Sequence, residues 1–109
     1  MNLSSKAEGD ALVVSVHETR IDASVAIQFK DRMREETDAA DGRVVLNLSE
    51  VDFIDSSGLG AIVAAMKQLG GKNPLELAGL NENVDKVFRL TRMDTVFRIH
   101  NSLDDAIVV

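Results

Sequence analysis

The most informative periodicity lies in residues 43–48. Val44, Leu46 and Leu48 fall on one face and Val45 on the other, with only Asn47 interrupting. A strand apolar on both sides belongs at the centre of a sheet covered on both faces, as in an α/β layer fold. Residues 11–16 place Leu12, Val14 and Val16 on one face, and the turn Glu8-Gly9-Asp10 returns from a short strand in the first few residues. Residues 22–37 have helical spacing: Val25, Phe29 and Met33 recur every fourth position beside Ala26, Lys30, Arg34, Glu35 and Glu36 face water, and Asp22 or Ser24 caps the start. Asp41-Gly42 forms a turn.

From Leu59, the residues Ile62, Val63, Met66 and Leu69 continue an apolar stripe that Gly70-Gly71 ends. Residues 74–78 form a short strand and Gly79 a turn, and Asn81 caps a helix bearing Val84, Val87 and Phe88. Residues 96–99 make the last strand, and Ser102 with Asp105 has the spacing of a capping box ahead of Ala106 and Ile107. The order β-β-α-β-α-β-α-β-α predicts an α/β fold with a mostly parallel mixed sheet of about five strands and four helices.

At 109 residues the chain is long enough for one domain, spanning 1–109, and too short for two. The 45% hydrophobic and 28% charged composition is that of a soluble globular protein, and the absence of cysteine removes disulfides, thiol catalysis and thiolate metal sites. Twelve basic against 18 acidic residues leave a net charge of −6, which disfavours direct nucleic-acid binding and favours a basic patch on a protein partner. No apolar run approaches the length of a membrane span, so no membrane insertion is expected. The opening MNLSSKAEGD carries no pattern of an export signal, so a cytoplasmic protein is expected.

Candidate chemistry is sparse. His17 and His100 each sit near a strand end without a ligand cluster and read as structural. Gly58 and Gly60 do not complete a dinucleotide fingerprint, and no phosphate loop is present, so no cofactor is expected. Asp52 and Asp55 give no assignable acid–base pair, and Asp55 reads as the acid at a helix N-terminus. Ser56 and Ser57 differ in kind, because they open the best-formed amphipathic helix. A phosphoryl group there would meet unpaired first-turn amides and would add charge beside Asp52 and Asp55. The plainer reading is a serine N-cap followed by a second first-turn hydroxyl.

The run Val45-Leu46-Asn47-Leu48, followed by Val51-Asp52-Phe53-Ile54-Asp55-Ser56-Ser57-Gly58-Leu59-Gly60, resembles the central signature of the STAS domain family, in particular its single-domain bacterial anti-sigma factor antagonists. Arg20-Ile21-Asp22-Ala23 resembles the family's approach to its first helix, and residues 89–97 its passage to the last strand, so the likeness covers nearly the whole chain. The resemblance implies a non-enzymatic protein-binding switch. Ser56, directly after the motif aspartate Asp55, would be phosphorylated by an anti-sigma factor that is also a serine kinase. The unphosphorylated form would bind that kinase and release the sigma factor, and a PP2C-type phosphatase would restore it. The partner-binding residues implied are Asp22, Asp55, Ser56, Ser57 and Gly58, with Gly58 and Gly60 permitting close helix packing. Thr19 stands where the family often has glycine. The same signature also fits a STAS subunit of a lipid or anion transport complex, or an antagonist in a kinase–phosphatase circuit without a sigma factor.

Overall fold

A computed structural model describes residues 1–70 and 75–107. Five strands form the main sheet: β1 (Leu3–Glu8), β2 (Ala11–Val16), β4 (Arg43–Asn47), β6 (Leu75–Ala78) and β7 (Arg98–His100), in the order β1-β2-β4-β6-β7. β1 runs antiparallel to β2, and every other pairing is parallel. The helices are α1 (Ala26–Thr37), α2 (Ser56–Gln68), α3 (Glu82–Leu90) and the short α4 (Leu103–Ala106). The mixed, mostly parallel sheet and four helices agree with the pattern along the chain. A two-stranded parallel ribbon, β3 (Arg20–Ile21) with β5 (Phe53–Ile54), lies apart from that sheet.

The alternation in β4 is explained by two unequal layers. Val44, Leu46 and Leu48 join Val14, Val16 and Leu77 against Phe29 and Met33 of α1, Ile62 of α2, and Val84 and Phe88 of α3. Val45 faces the other way, with Ala11, Val13 and Ala78, beneath Ala106 of α4. Three helices therefore cover one face and a single turn covers the other. Leu46 and Ile62 are both fully buried. Leu46→Ala and Ile62→Ala are each expected to cost about 2–5 kcal/mol, from lost transfer energy plus the cavity left behind. Urea denaturation checks this, and near-wild-type midpoints for both would mean that the core does not close across β4 and α2.

Several expected boundaries move. α1 starts at Ala26 rather than at residue 22, behind an N-cap, Val25, that makes no side-chain capping bond. α2 starts at Ser56, and its deepest positions are Gly58, Ala61, Ile62 and Ala65, while Leu59, Val63, Met66 and Leu69 are only half-buried around them. The small residues mark where α2 approaches its neighbours most closely, which a reading based on large apolar side chains places to one side. The last strand is Arg98–His100 rather than residues 96–99. Arg92 takes a left-handed conformation (φ 62°) and opens a 3-10 turn over Met93–Thr95, which delays the strand and leaves Val96 exposed. Phe97 then turns inward and meets Phe88 edge-on, with ring centroids 5.9 Å apart. Gly71 and Pro74, expected at the end of α2 and the start of β6, lie outside the described residues.

Candidate functional site

The ribbon of β3 and β5 builds the entrance to α2. Thr19 O accepts from the amides of Asp52 and Phe53 at 2.8 and 3.3 Å, and Ile21 O accepts from the Asp55 amide at 3.4 Å. Because side chains alternate along a strand, Ile21 and Ile54 enter the core while Arg20 and Phe53 face outward. The Arg20 guanidinium lies 4.4 Å from the centroid of the Phe53 ring, a cation–π contact.

Asp55 is the N-cap of α2, in extended conformation, and Oδ1 accepts from the Gly58 amide at 2.8 Å. Oδ2 accepts from the Ala23 amide at 3.2 Å, so one carboxylate joins the first turn of α2 to the loop before α1. The cap is therefore the aspartate; Ser56 and Ser57 are the first two helical residues and both are exposed. Their amides belong to the first turn and have no intrahelical acceptor.

The two glycines have different roles. A Cβ at Gly58 would lie 1.9 Å from Ile21 O, so only glycine lets α2 rest on the ribbon. At Gly60 a Cβ would meet nothing within 4 Å, and the expectation that this residue permits close packing is corrected: it faces open space.

Asp22 does not cap α1. Its Oδ1 accepts from the Ser24 hydroxyl at 2.6 Å and the Ser24 amide at 3.0 Å, and Oδ2 accepts from Arg20 Nε at 3.3 Å. The Ser24 hydroxyl, and after it Arg20, hold the Asp22 carboxyl below the usual carboxylate range. Asp52 is drawn elsewhere: it accepts at 3.1 Å from Asn81 Nδ2, which also donates to Val51 O, while Asn81 Oδ1 caps α3 through the Val84 amide. Asp52 and Asp55 thus have separate partners. Asp22, Asp55, Ser56, Ser57 and Gly58 converge around Ile21, with Arg20 and Phe53 beside them.

Residues 2–106 match the family model described as the STAS domain. The chain belongs to the STAS domain family. It is 34% identical over 83 residues to the anti-sigma-B factor antagonist of Listeria monocytogenes, covering 74% of this chain and 72% of that protein. A STAS domain protein from Planctomyces limnophilus, described as an anti-sigma-factor antagonist, superposes with a TM-score of 0.86 at 18% identity, covering 96% of this chain and 94% of that one. An anti-sigma factor antagonist from Mycobacterium paratuberculosis gives a TM-score of 0.81 at 24% identity, covering 96% of this chain and 89% of that one.

At the opposite end of β4 this STAS domain holds a polar cluster that sequence reasoning missed. Glu76, only 4% exposed, accepts from Arg43 Nε and Nη2 at 2.8 Å each, and His100 Nε2 lies 2.6 Å from its Oε1. Arg43 also donates to Asp10 and to the carbonyl of Ala106, both at 2.7 Å, which ties α4 to the sheet. The only trace in the sequence was a glutamate between Leu75 and Leu77 in a short apolar strand. His17 bridges Ser4 Oγ and Glu50 Oε2 at 2.7 Å each, pinning the end of β2 to the loop after β4. Among the described residues no group of three or more His, Cys, Asp or Glu could hold a metal ion, and no helix is long and apolar enough to cross a membrane.

Proposed function

We propose that this STAS domain is an anti-sigma factor antagonist: a protein-binding switch that docks through the face around Ser56 and is turned off by phosphorylation there. The observation that carries this reading is the exposed Ser56 hydroxyl at the first turn of α2, directly after an aspartate whose two oxygens are already engaged. Asp55 keeps the turn ordered, while the amides of the two serines and the positive end of the helix remain to receive a phosphate. The fold therefore tolerates the modification. Family membership and the Listeria relative support the choice of partner class.

The unmodified domain binds an anti-sigma factor that is also a serine kinase, and the sigma factor is released. The kinase moves the γ-phosphoryl group of ATP to Ser56 Oγ, the hydroxyl proton passes to a base of the kinase, and ADP leaves. About −1.5 to −2 of charge is then added to a face already carrying Asp22 and Asp55, which opposes docking. A PP2C-type phosphatase hydrolyses the ester, returning serine and inorganic phosphate. In this reading the cycle runs in the cytoplasm, and the domain contributes no catalytic group.

Affinity capture from native cells with wild-type, Ser56→Ala and phosphorylated protein tests the reading. The expected result is a kinase retained by the first two and released by the third, with one phosphate mapped by fragmentation mass spectrometry to Ser56. Ser56→Ala should abolish transfer and leave the unfolding curve unchanged. Phosphate on Ser57 alone would reject Ser56, and equal kinase affinity with and without phosphate would reject the switch. Competition by a sigma factor for the recovered kinase identifies the output as transcriptional.

A further inference from the structure

We infer that Arg20 is the internal counter-charge for phosphoserine at position 56: on phosphorylation its guanidinium leaves Phe53 and Asp22 and pairs with the phosphate. This rests on Ser56 being the phosphorylated residue. It adds a device by which the covalent mark rearranges the docking face as well as charging it.

The placement follows from the ribbon. Arg20 is the register partner of Phe53, and Ile21 of Ile54, so the outward face carries Arg20 and Phe53 side by side. Two residues further along each chain come Asp22 and Asp55, on the same side by strand alternation, and Ser56 follows directly. The backbone of Gly58 rests on the carbonyl of Ile21, the residue between Arg20 and Asp22, so the first turn of α2 packs directly against the strand that carries Arg20. The guanidinium is already turned along this face, 3.3 Å from Asp22 Oδ2, and its side chain is 59% exposed.

Its present partners hold it weakly. The bond to Asp22 is long, through Nε alone, and Asp22 keeps two shorter bonds from Ser24 if Arg20 departs. The ring contact lies at a half-exposed phenylalanine, where such a contact is worth about 0.5–1 kcal/mol. A phosphate dianion offers three strong acceptors and suits the planar, bidentate guanidinium better than either. Among the described residues, the charged groups on the face are Arg20 and Asp22 from β3 and its loop, and Asp55 after β5, while Asp52, before β5, is turned to Asn81; the first turns of α1 and α2 carry no charged residue. With the carboxylates of Asp22 and Asp55 nearby, a phosphate there needs a cation, and the ribbon supplies Arg20.

The test installs phosphoserine at position 56 during synthesis, so that it does not depend on a kinase, and follows the phosphate by 31P NMR as pH is varied. In the otherwise wild-type chain the second ionisation is expected below the ordinary value of about 6. Arg20→Ala should raise it by about one pH unit, and Arg20→Lys should recover part of that shift. The Arg20 Nε–H and Phe53 ring resonances should also move between the unmodified and phosphorylated proteins. Titrations that superimpose with and without Arg20, or resonances of Arg20 and Phe53 that ignore the phosphate, would overturn the assignment. Arg20 is exposed, so the variant keeps the fold, and a thermal melt verifies it. Absence of kinase-driven phosphorylation in cells would sink the functional reading while leaving this result standing.

Discussion

Gly58→Ala is expected to destabilise the domain by about 2 kcal/mol or more, whereas Gly60→Ala, one half-turn away, is expected to stabilise it by up to about 1 kcal/mol. In an unconstrained helix both changes would be favourable, since alanine loses less backbone entropy than glycine. At position 58 the new methyl would sit 1.9 Å from the carbonyl oxygen of Ile21 and 2.7 Å from its carbon, and backbone cannot rotate aside as a flexible side chain does. Either α2 or the β3 ribbon must retreat, and both moves stretch the bond from the Asp55 amide to Ile21 O. Position 60 meets nothing, so the propensity gain stands alone. Urea denaturation of the two variants in parallel decides the matter; equal midpoints would show that α2 does not rest on Ile21. Gly58→Ala should also weaken partner capture, because the displaced loop carries Asp22 beside Ala23, whose amide Asp55 holds.

Acid should unfold the protein largely through Glu76. The Arg43 hydrogen bonds first, and His100 after them, outweigh the opposing effect of burial and bring this carboxyl from 4.5 down to about 2. Its folded value lies below its unfolded one, so the native state binds fewer protons in the interval between them. The stabilisation is complete above pH 4.5 and drains away as pH falls towards about 2, an amount on the order of 3 kcal/mol. Glu76→Gln should therefore cost about 3 kcal/mol at neutral pH, since Arg43 loses its buried carboxylate and keeps only the exposed Asp10, and should flatten the curve between those limits. The measurement is the free energy of unfolding by urea at a series of pH values, wild type against variant. Two curves falling in parallel through the acid range would place the titration in other carboxylates. The same variant should loosen α4, because Arg43 holds the Ala106 carbonyl with the nitrogen that also grips Glu76.

The layered α/β plan was readable along the chain because its causes are local. The two-sided apolar run of β4 and the spacing of Phe29 with Met33 each report burial within a few residues, and Asn81 sits at the cap it was expected to form. The helix-opening run Asp55-Ser56-Ser57 was legible for the same reason, since capping acts over one turn. Even there the cap is the aspartate, which accepts from the Gly58 amide with one oxygen and spends the other on the Ala23 amide, 32 positions away in the chain.

Tertiary structure alone decided features that depend on a partner distant in sequence. Nothing in Arg20-Ile21 or Phe53-Ile54 marks a two-residue strand, since each exists only through the other. Gly58 and Gly60 are alike as residues, and only the carbonyl of Ile21 beneath one of them makes a Cβ intolerable there. Asp22 has the composition of a helix cap, yet its carboxylate closes on Ser24 and Arg20, and α1 begins four residues later. Glu76 would be a costly residue in an apolar strand if judged by its neighbours in sequence. It is stable because parallel pairing places β6 between β4 and β7, which bring it Arg43 and His100, and a buried charge is settled by what surrounds it in space.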